Sequence, residues 1–170
     1  MKTQCSLVRA GLLAGLLLSA VVHAAAPAAP VPKPDASAAI EKTDPSGRFR
    51  KMHESFLARG KEGPIGVLFI GDSITQGWTK APHVWAHYYG KWQPANFGIG
   101  GDQTQHVIWR IENGELDGVK PKAVVLMLGT NNTGAHTADE IAAADKKIVD
   151  LIRAKIPAAK VLGQIGRAHV

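Results

Sequence analysis

Three short polar clusters carry the residues best suited to chemistry. Gly71-Asp72-Ser73-Ile74-Thr75 offers a hydroxyl and a carboxyl, Gly98-Ile99-Gly100-Gly101-Asp102 a glycine-rich loop, and Gly129-Thr130-Asn131-Asn132 two side-chain amides. Each has an ordinary structural alternative. Asp and Ser can simply cap a helix by accepting from its free N–H groups. The glycine loop could cradle a phosphate, but it lacks the full dinucleotide-binding spacing and a following acidic partner. Gly-Thr-Asn-Asn alone is a common turn composition. What distinguishes the three is where they fall along the chain.

Each cluster follows a short apolar run. Ile65–Ile70 and Ala123–Leu128 read as strands buried on both faces, Ala95–Phe97 is a weaker strand, and Lys160–Leu162 begins a fourth. Helical spacing is expected over Pro45–Arg59, Pro82–Tyr89, Thr104–Ile111 and Thr137–Ala154. Alternating strands and helices predict an α/β fold, a parallel doubly wound sheet between helical layers. In such sheets ligands bind beyond the carboxyl ends of strands near the topological switch point, so three clusters there would converge on one cleft.

Taken together and in this order, the clusters resemble the SGNH (GDSL) hydrolases. Asn96–Asn132 (NFGIGGDQTQHVIWRIENGELDGVKPKAVVLMLGTNN) resembles the catalytic subunits of platelet-activating-factor acetylhydrolase and their bacterial relatives, with likeness from about Ile65 to Gly163. The resemblance implies a flavodoxin-like three-layer α/β/α fold and a serine esterase or acylhydrolase acting on short-chain, chiefly acetyl, esters, with carbohydrate esters in view. It implies Ser73 as nucleophile. It also implies an oxyanion hole from the backbone N–H groups of Ser73 and Gly101 and the Asn131 side-chain amide. Asp72 braces the turn. A hydroxyl is a weak nucleophile until a base takes its proton, and the family's base is a histidine in an Asp-x-x-His motif. No Asp in this sequence has a His three places later. His53, His83 and His87 are expected on helix surfaces, His106 follows the second cluster, His136 is the best substitute base, and His169 is nearly terminal. The chain as written is therefore expected to be incomplete at its C-terminus and inactive. The fifth strand and closing helix that the family uses to cover its sheet would be missing.

Residues 1–24 read as a signal peptide, with Lys2 and Arg9 before the apolar run Ala10–Val22 and a cleavage site at Val22-His23-Ala24. Cleavage would remove Cys5, the only cysteine, which excludes cysteine nucleophiles and zinc-thiolate sites from the mature chain. Residues 25–44 are rich in Ala and Pro and read as an extended linker, with the hydrolase domain over 45–163. Residues 164–170 break the apolar run of the fourth strand, and Ile165–Val170 matches a translated sequencing adapter, so they read as a non-native tail.

A net charge of +6 is carried by scattered Lys and Arg without a basic run, so no nucleic-acid partner is expected. No cofactor or metal is expected, because the implied oxyanion donors are amides. The expected partner is a small-molecule or carbohydrate ester, in an exported, periplasmic or secreted protein without stable membrane insertion. The rival expectation is a secreted non-catalytic flavodoxin-like binding module. A nucleotide-binding reading of the glycine loop is weaker.

Overall fold

The computed structural model of the protein describes residues 33–165. The expected leader over residues 1–24, Cys5 and His169 lie outside that range. Helix α1 (Arg48–Lys61) begins three residues later than expected, because Asp44 takes the preceding residues into a turn of its own. Its carboxylate accepts from the backbone of Ser46 at 3.0 Å and Phe49 at 2.9 Å, so Pro45-Ser46-Gly47 is a capped turn rather than a helix.

Strand β1 (Val67–Gly71) leads into the four-residue helix α2 (Ser73–Gln76), and a short 3-10 turn precedes α3 (Pro82–Tyr89). Strand β2 (Pro94–Gly98), helix α4 (Thr104–Glu112), strand β3 (Ala123–Leu128), helix α5 (Ala138–Lys155) and strand β4 (Lys160–Ile165) follow. β4 thus continues through Gln164 and Ile165, which pair with Met127 and Leu128.

All strand pairs are parallel, in the order β2-β1-β3-β4. The chain leaves β1 toward one side and returns to its other side at β3. The switch point therefore lies between β1 and β3, the place where α/β sheets bind ligands. Right-handed crossovers then put α3 on one face and α4 and α5 on the other. On the inner face Leu68 lies level with Ala95 and Val124, and Ile70 with Phe97 and Leu126. These residues are buried beneath Phe49 and Phe56 of α1, Val107 and Ile108 of α4, and Ile148 and Ile152 of α5. Each fully buried aliphatic side chain contributes about 1.5–3 kcal/mol.

The outer face differs from the sequence expectation. β3 is not buried on both sides: Val124, Leu126 and Leu128 are buried, whereas Val125 and Met127 are half-buried. Phe69 packs against Trp85 at 4.7 Å and Tyr89 at 5.0 Å. Beyond that cluster runs a groove of about 370 Å³ lined by Trp78, Tyr89, Val125, Met127 and Leu162.

Residues 33–44 have no helix or strand, yet they are not a free linker. Ala36 is buried, its carbonyl accepts from Thr104 Oγ1 at 2.8 Å, and Ile40 donates its N–H to Gln105 O at 3.2 Å. A turn closed by Ala38 N donating to Asp35 O at 3.1 Å shapes this strap, and small Ala36 lets it lie close on α4. Ordered structure therefore starts ahead of residue 45. Among the described residues no helix is long and apolar enough to cross a membrane.

Candidate active site

The first cluster is built by the end of β1. A Cβ on Gly71 would run into Thr75 Oγ1 and the Met127 carbonyl, so only glycine lets the chain turn so tightly. Asp72 then caps α2, its Oδ1 accepting from Ile74 N at 2.9 Å. Its carboxylate is almost wholly buried, and burial pushes its pKa above the ordinary carboxylate range. Ser73 is the first residue of α2 and is exposed beyond the carboxyl end of the sheet.

The second cluster is tied to the first through its backbone. Asn96 Nδ2 donates to Thr75 O at 2.8 Å, while Asn96 Oδ1 accepts from Gly98 N at 2.9 Å. Ile99 N donates to Gly71 O at 3.1 Å, and Gly100 N to Gln76 Oε1 at 2.9 Å. Gly101 stands at φ 74, in the left-handed region that glycine enters without strain. A Cβ on Gly100 would lie 3.8 Å from Ser73 Cβ, which places this loop beside the hydroxyl.

The third cluster closes the arrangement. After β3, Gly129 takes φ 104 and a 3-10 turn carries Asn131 and Asn132. Asn131 Nδ2 donates to Asp102 O at 2.8 Å and to Asp72 Oδ2 at 3.3 Å, so one amide touches both other clusters. Gln103 Nε2 returns a bond to Asn131 O at 2.6 Å. Asn132 is fully buried and accepts from Thr104 N at 3.0 Å. The two asparagines thus divide: one faces the site, the other pins α4. Ser73, Gly101 and Asn131 are brought to one place at the switch point.

Beneath the loop lies a buried charge cluster that sequence reasoning missed. Arg110 is wholly buried and donates to Phe97 O and Glu115 Oε2, each at 2.9 Å, with Nε 3.2 Å from Asp102 Oδ2. Burial pushes Asp102 up to about 6, although the charges of Arg110 and Lys42 pull the other way. Lys42 Nζ reaches Gly100 O at 2.6 Å and Asp102 Oδ1 at 3.4 Å. Nothing in the sequence around Lys42 distinguishes it from a solvated lysine. Arg110 left one signal, a charge amid the apolar face of α4. Among the described residues no cluster of His, Cys, Asp and Glu is placed to hold a metal ion.

Three of the histidines among the described residues are held in structural bonds. His106 Nδ1 accepts from Gln103 N at 3.0 Å in a capping box. Burial, then the charges of Lys42 and Arg110, lower its pKa to about 4. His136 is buried, with Nε2 donating to Pro34 O at 2.8 Å and Nδ1 3.5 Å from Asn132 Nδ2. His53 is not on the surface as expected. It is buried against Trp109, with Nε2 donating to Asn113 O at 3.2 Å. The helical stripe Phe49, His53, Phe56 already placed it on the inner side of α1. His83 and His87 are exposed on α3. None of these five is hydrogen-bonded to Ser73.

Comparison with known proteins adds the family. The chain is 42% identical over 123 residues to platelet-activating factor acetylhydrolase IB subunit alpha1 of Bos taurus, covering 72% of this chain and 52% of that protein. It is 40% identical over 124 residues to the alpha2 subunit of Homo sapiens, covering 73% and 53%. The chain spans about half the length of the curated relatives it matches. A solved Streptococcus pneumonia structure described as a platelet activating factor superposes with a TM-score of 0.54 at 21% identity, over 68% of this chain and 53% of that one. That likeness supports the three-layer α/β/α fold. Residues 69–169, which include all three clusters, match the GDSL-like lipase/acylhydrolase family, and the chain belongs to that family.

Proposed function

We propose that the protein is a serine ester hydrolase that removes short acyl groups, acetyl foremost, from small-molecule or carbohydrate esters outside the cytoplasm. The observation that carries this reading is the exposed Ser73 at the start of α2, beside the Gly100-Gly101 turn and the Asn131 amide. Acetyl is favoured because the relatives at 40% identity or more carry the name acetylhydrolase. Export is favoured by the leader-like residues 1–24.

In this mechanism Ser73 Oγ attacks the ester carbonyl carbon as a base takes its proton. Negative charge then develops on the carbonyl oxygen, where the N–H groups of Ser73 and Gly101 and the Asn131 amide donate. Of the two bonds Asn131 Nδ2 makes, the 3.3 Å contact to buried Asp72 is the longer. It is the one a substrate oxygen would replace, while the bond to Asp102 O keeps the amide aimed. Neither His106 nor His136 serves as base, since each is held in a structural bond. The alternative is a non-catalytic binding module that keeps the three loops.

Fluorophosphonate labelling of the full-length gene product distinguishes the two. An intact-mass increase of one probe, lost in Ser73→Ala, supports the hydrolase. No labelling, with the fold intact by circular dichroism, favours the binding module. N-terminal sequencing of exported protein tests the leader, with Ala25 expected as the first mature residue.

A further inference from the structure

We infer that Lys42 is a positioning residue of the oxyanion hole, holding and polarising the Gly100–Gly101 peptide through the Gly100 carbonyl. This rests on the reading of Gly101 N–H as an oxyanion donor. The carbonyl of Gly100 and the N–H of Gly101 belong to one peptide group, and that peptide is trans. In a planar trans peptide the C=O and N–H point in opposite directions, so fixing one aims the other. Lys42 Nζ donates to Gly100 O at 2.6 Å, a short charge-assisted bond. An ammonium on the carbonyl side draws electron density through the amide and makes the N–H on the far side a stronger donor.

Glycine at 101 makes such a hold necessary. With φ 74 at Gly101 and no side chain at either residue, the turn lacks the steric restraint that would keep the peptide from rotating. A Cβ on Gly101 would lie 3.0 Å from Lys42 Nζ, so the ammonium occupies the space a side chain would take. Two other bonds support the turn. Gly100 N donates to Gln76 Oε1, which holds the preceding peptide. Asp102 N donates to Ile99 O at 3.1 Å, which closes the turn at its ends and engages neither the C=O nor the N–H of the Gly100–Gly101 peptide.

Lys42 is itself delivered from outside the residues that match the family. It lies on the strap, anchored at Ala36 and Ile40 to α4 on one side and through the Glu41–Arg50 ion pair to α1 on the other. Its ammonium is mostly buried and faces Asp102, which Arg110 holds from below. The strap therefore reaches the site with one functional group, and that group addresses a backbone carbonyl rather than solvent.

The test uses Lys42→Met, Lys42→Arg and the exposed control Lys51→Met in the full-length protein. With an aryl acetate, Lys42→Met is expected to lower Ser73-dependent kcat about tenfold with KM unchanged, and Lys42→Arg to recover most of the loss. Lys51→Met should match wild type. In spectra of protein with isotope-labelled glycine, the Gly101 amide proton should move upfield in Lys42→Met and return in Lys42→Arg. A Gly101 amide that does not move overturns the inference, and so does an unchanged kcat in Lys42→Met beside an inactive Ser73→Ala. If wild type shows no Ser73-dependent turnover, it is the hydrolase reading that fails. The Gly101 amide then still decides whether Lys42 holds this peptide.

Discussion

The side-chain amide of Asn131 donates to the backbone carbonyl of Asp102 at 2.8 Å, tying the loop after β3 to the loop after β2. The two residues are 29 apart in sequence and meet only because β3 returns beside β1 at the switch point. One amide thus braces the glycine turn and, in the proposed mechanism, donates to the oxyanion.

That double use makes Asn131→Ala informative. Loss of the two hydrogen bonds is expected to cost about 1–2 kcal/mol of stability in urea unfolding. Loss of the donor is expected to lower kcat for ester hydrolysis about 100-fold or more in the full-length protein. A variant with normal turnover and only the stability loss would remove Asn131 from the oxyanion hole and leave it a brace.

Glycines in the site are predicted to differ sharply in their tolerance of alanine. A Cβ on Gly98 would run into Gln76 N and lie 2.9 Å from the Asp72 carbonyl oxygen, and both are backbone atoms at the base of α2. On Gly100 it would meet the end of the flexible Gln76 side chain at 3.0 Å, which can swing aside. Gly98→Ala should therefore destabilise by about 3 kcal/mol or more and disturb Ser73, whereas Gly100→Ala should cost about 1 kcal/mol. Thermal unfolding of the two variants checks the order, and equal losses would mean that α2 yields to the extra methyl.

Much of this was legible in the sequence where local chemistry decides. Pro82–Tyr89 and Ala123–Leu128 were read with their observed bounds, because proline starts the helix and an apolar run with flanking turns bounds the strand. α2 escaped because four residues are too few for a period to show. The strap escaped because its Ala-Pro composition reads as a linker, and only the surfaces of α4 and α5 reveal what it lies on. His53 and Arg110 show the same limit from within the core. Their partners, Trp109 and Glu115, sit on or just beyond the far end of α4, and no local pattern announces such pairings.

Arg110 carries the third prediction. Its guanidinium is the buried cation between Asp102 and Glu115 and also supports Phe97 O at the end of β2. Arg110→Met keeps volume and stem but leaves two buried carboxylates without it, which is expected to cost about 3–5 kcal/mol. Adding Glu115→Gln should recover part of that loss by removing one unpaired charge. Urea unfolding of both variants measures it. A single variant within about 0.5 kcal/mol of wild type would show that water reaches the cluster and screens it.

Asp145 offers a pH test remote from the site. It lies part-buried on α5, its Oδ1 has no hydrogen-bond partner among the described residues, and burial pushes its pKa from 3.8 up to about 6. The folded state therefore holds this proton more tightly than the unfolded chain does. The stability that follows is fully present below about pH 4 and is lost as pH rises through about 6. Asparagine resembles the protonated form at every pH. Asp145→Asn is thus expected to gain about 1–2 kcal/mol over wild type at neutral pH, after allowance for its partial exposure, and nothing below about pH 4. Thermal unfolding of both proteins across that range reads the difference directly. An advantage that grows in acid would reverse the sign and mean that the carboxylate has found a cation in solution.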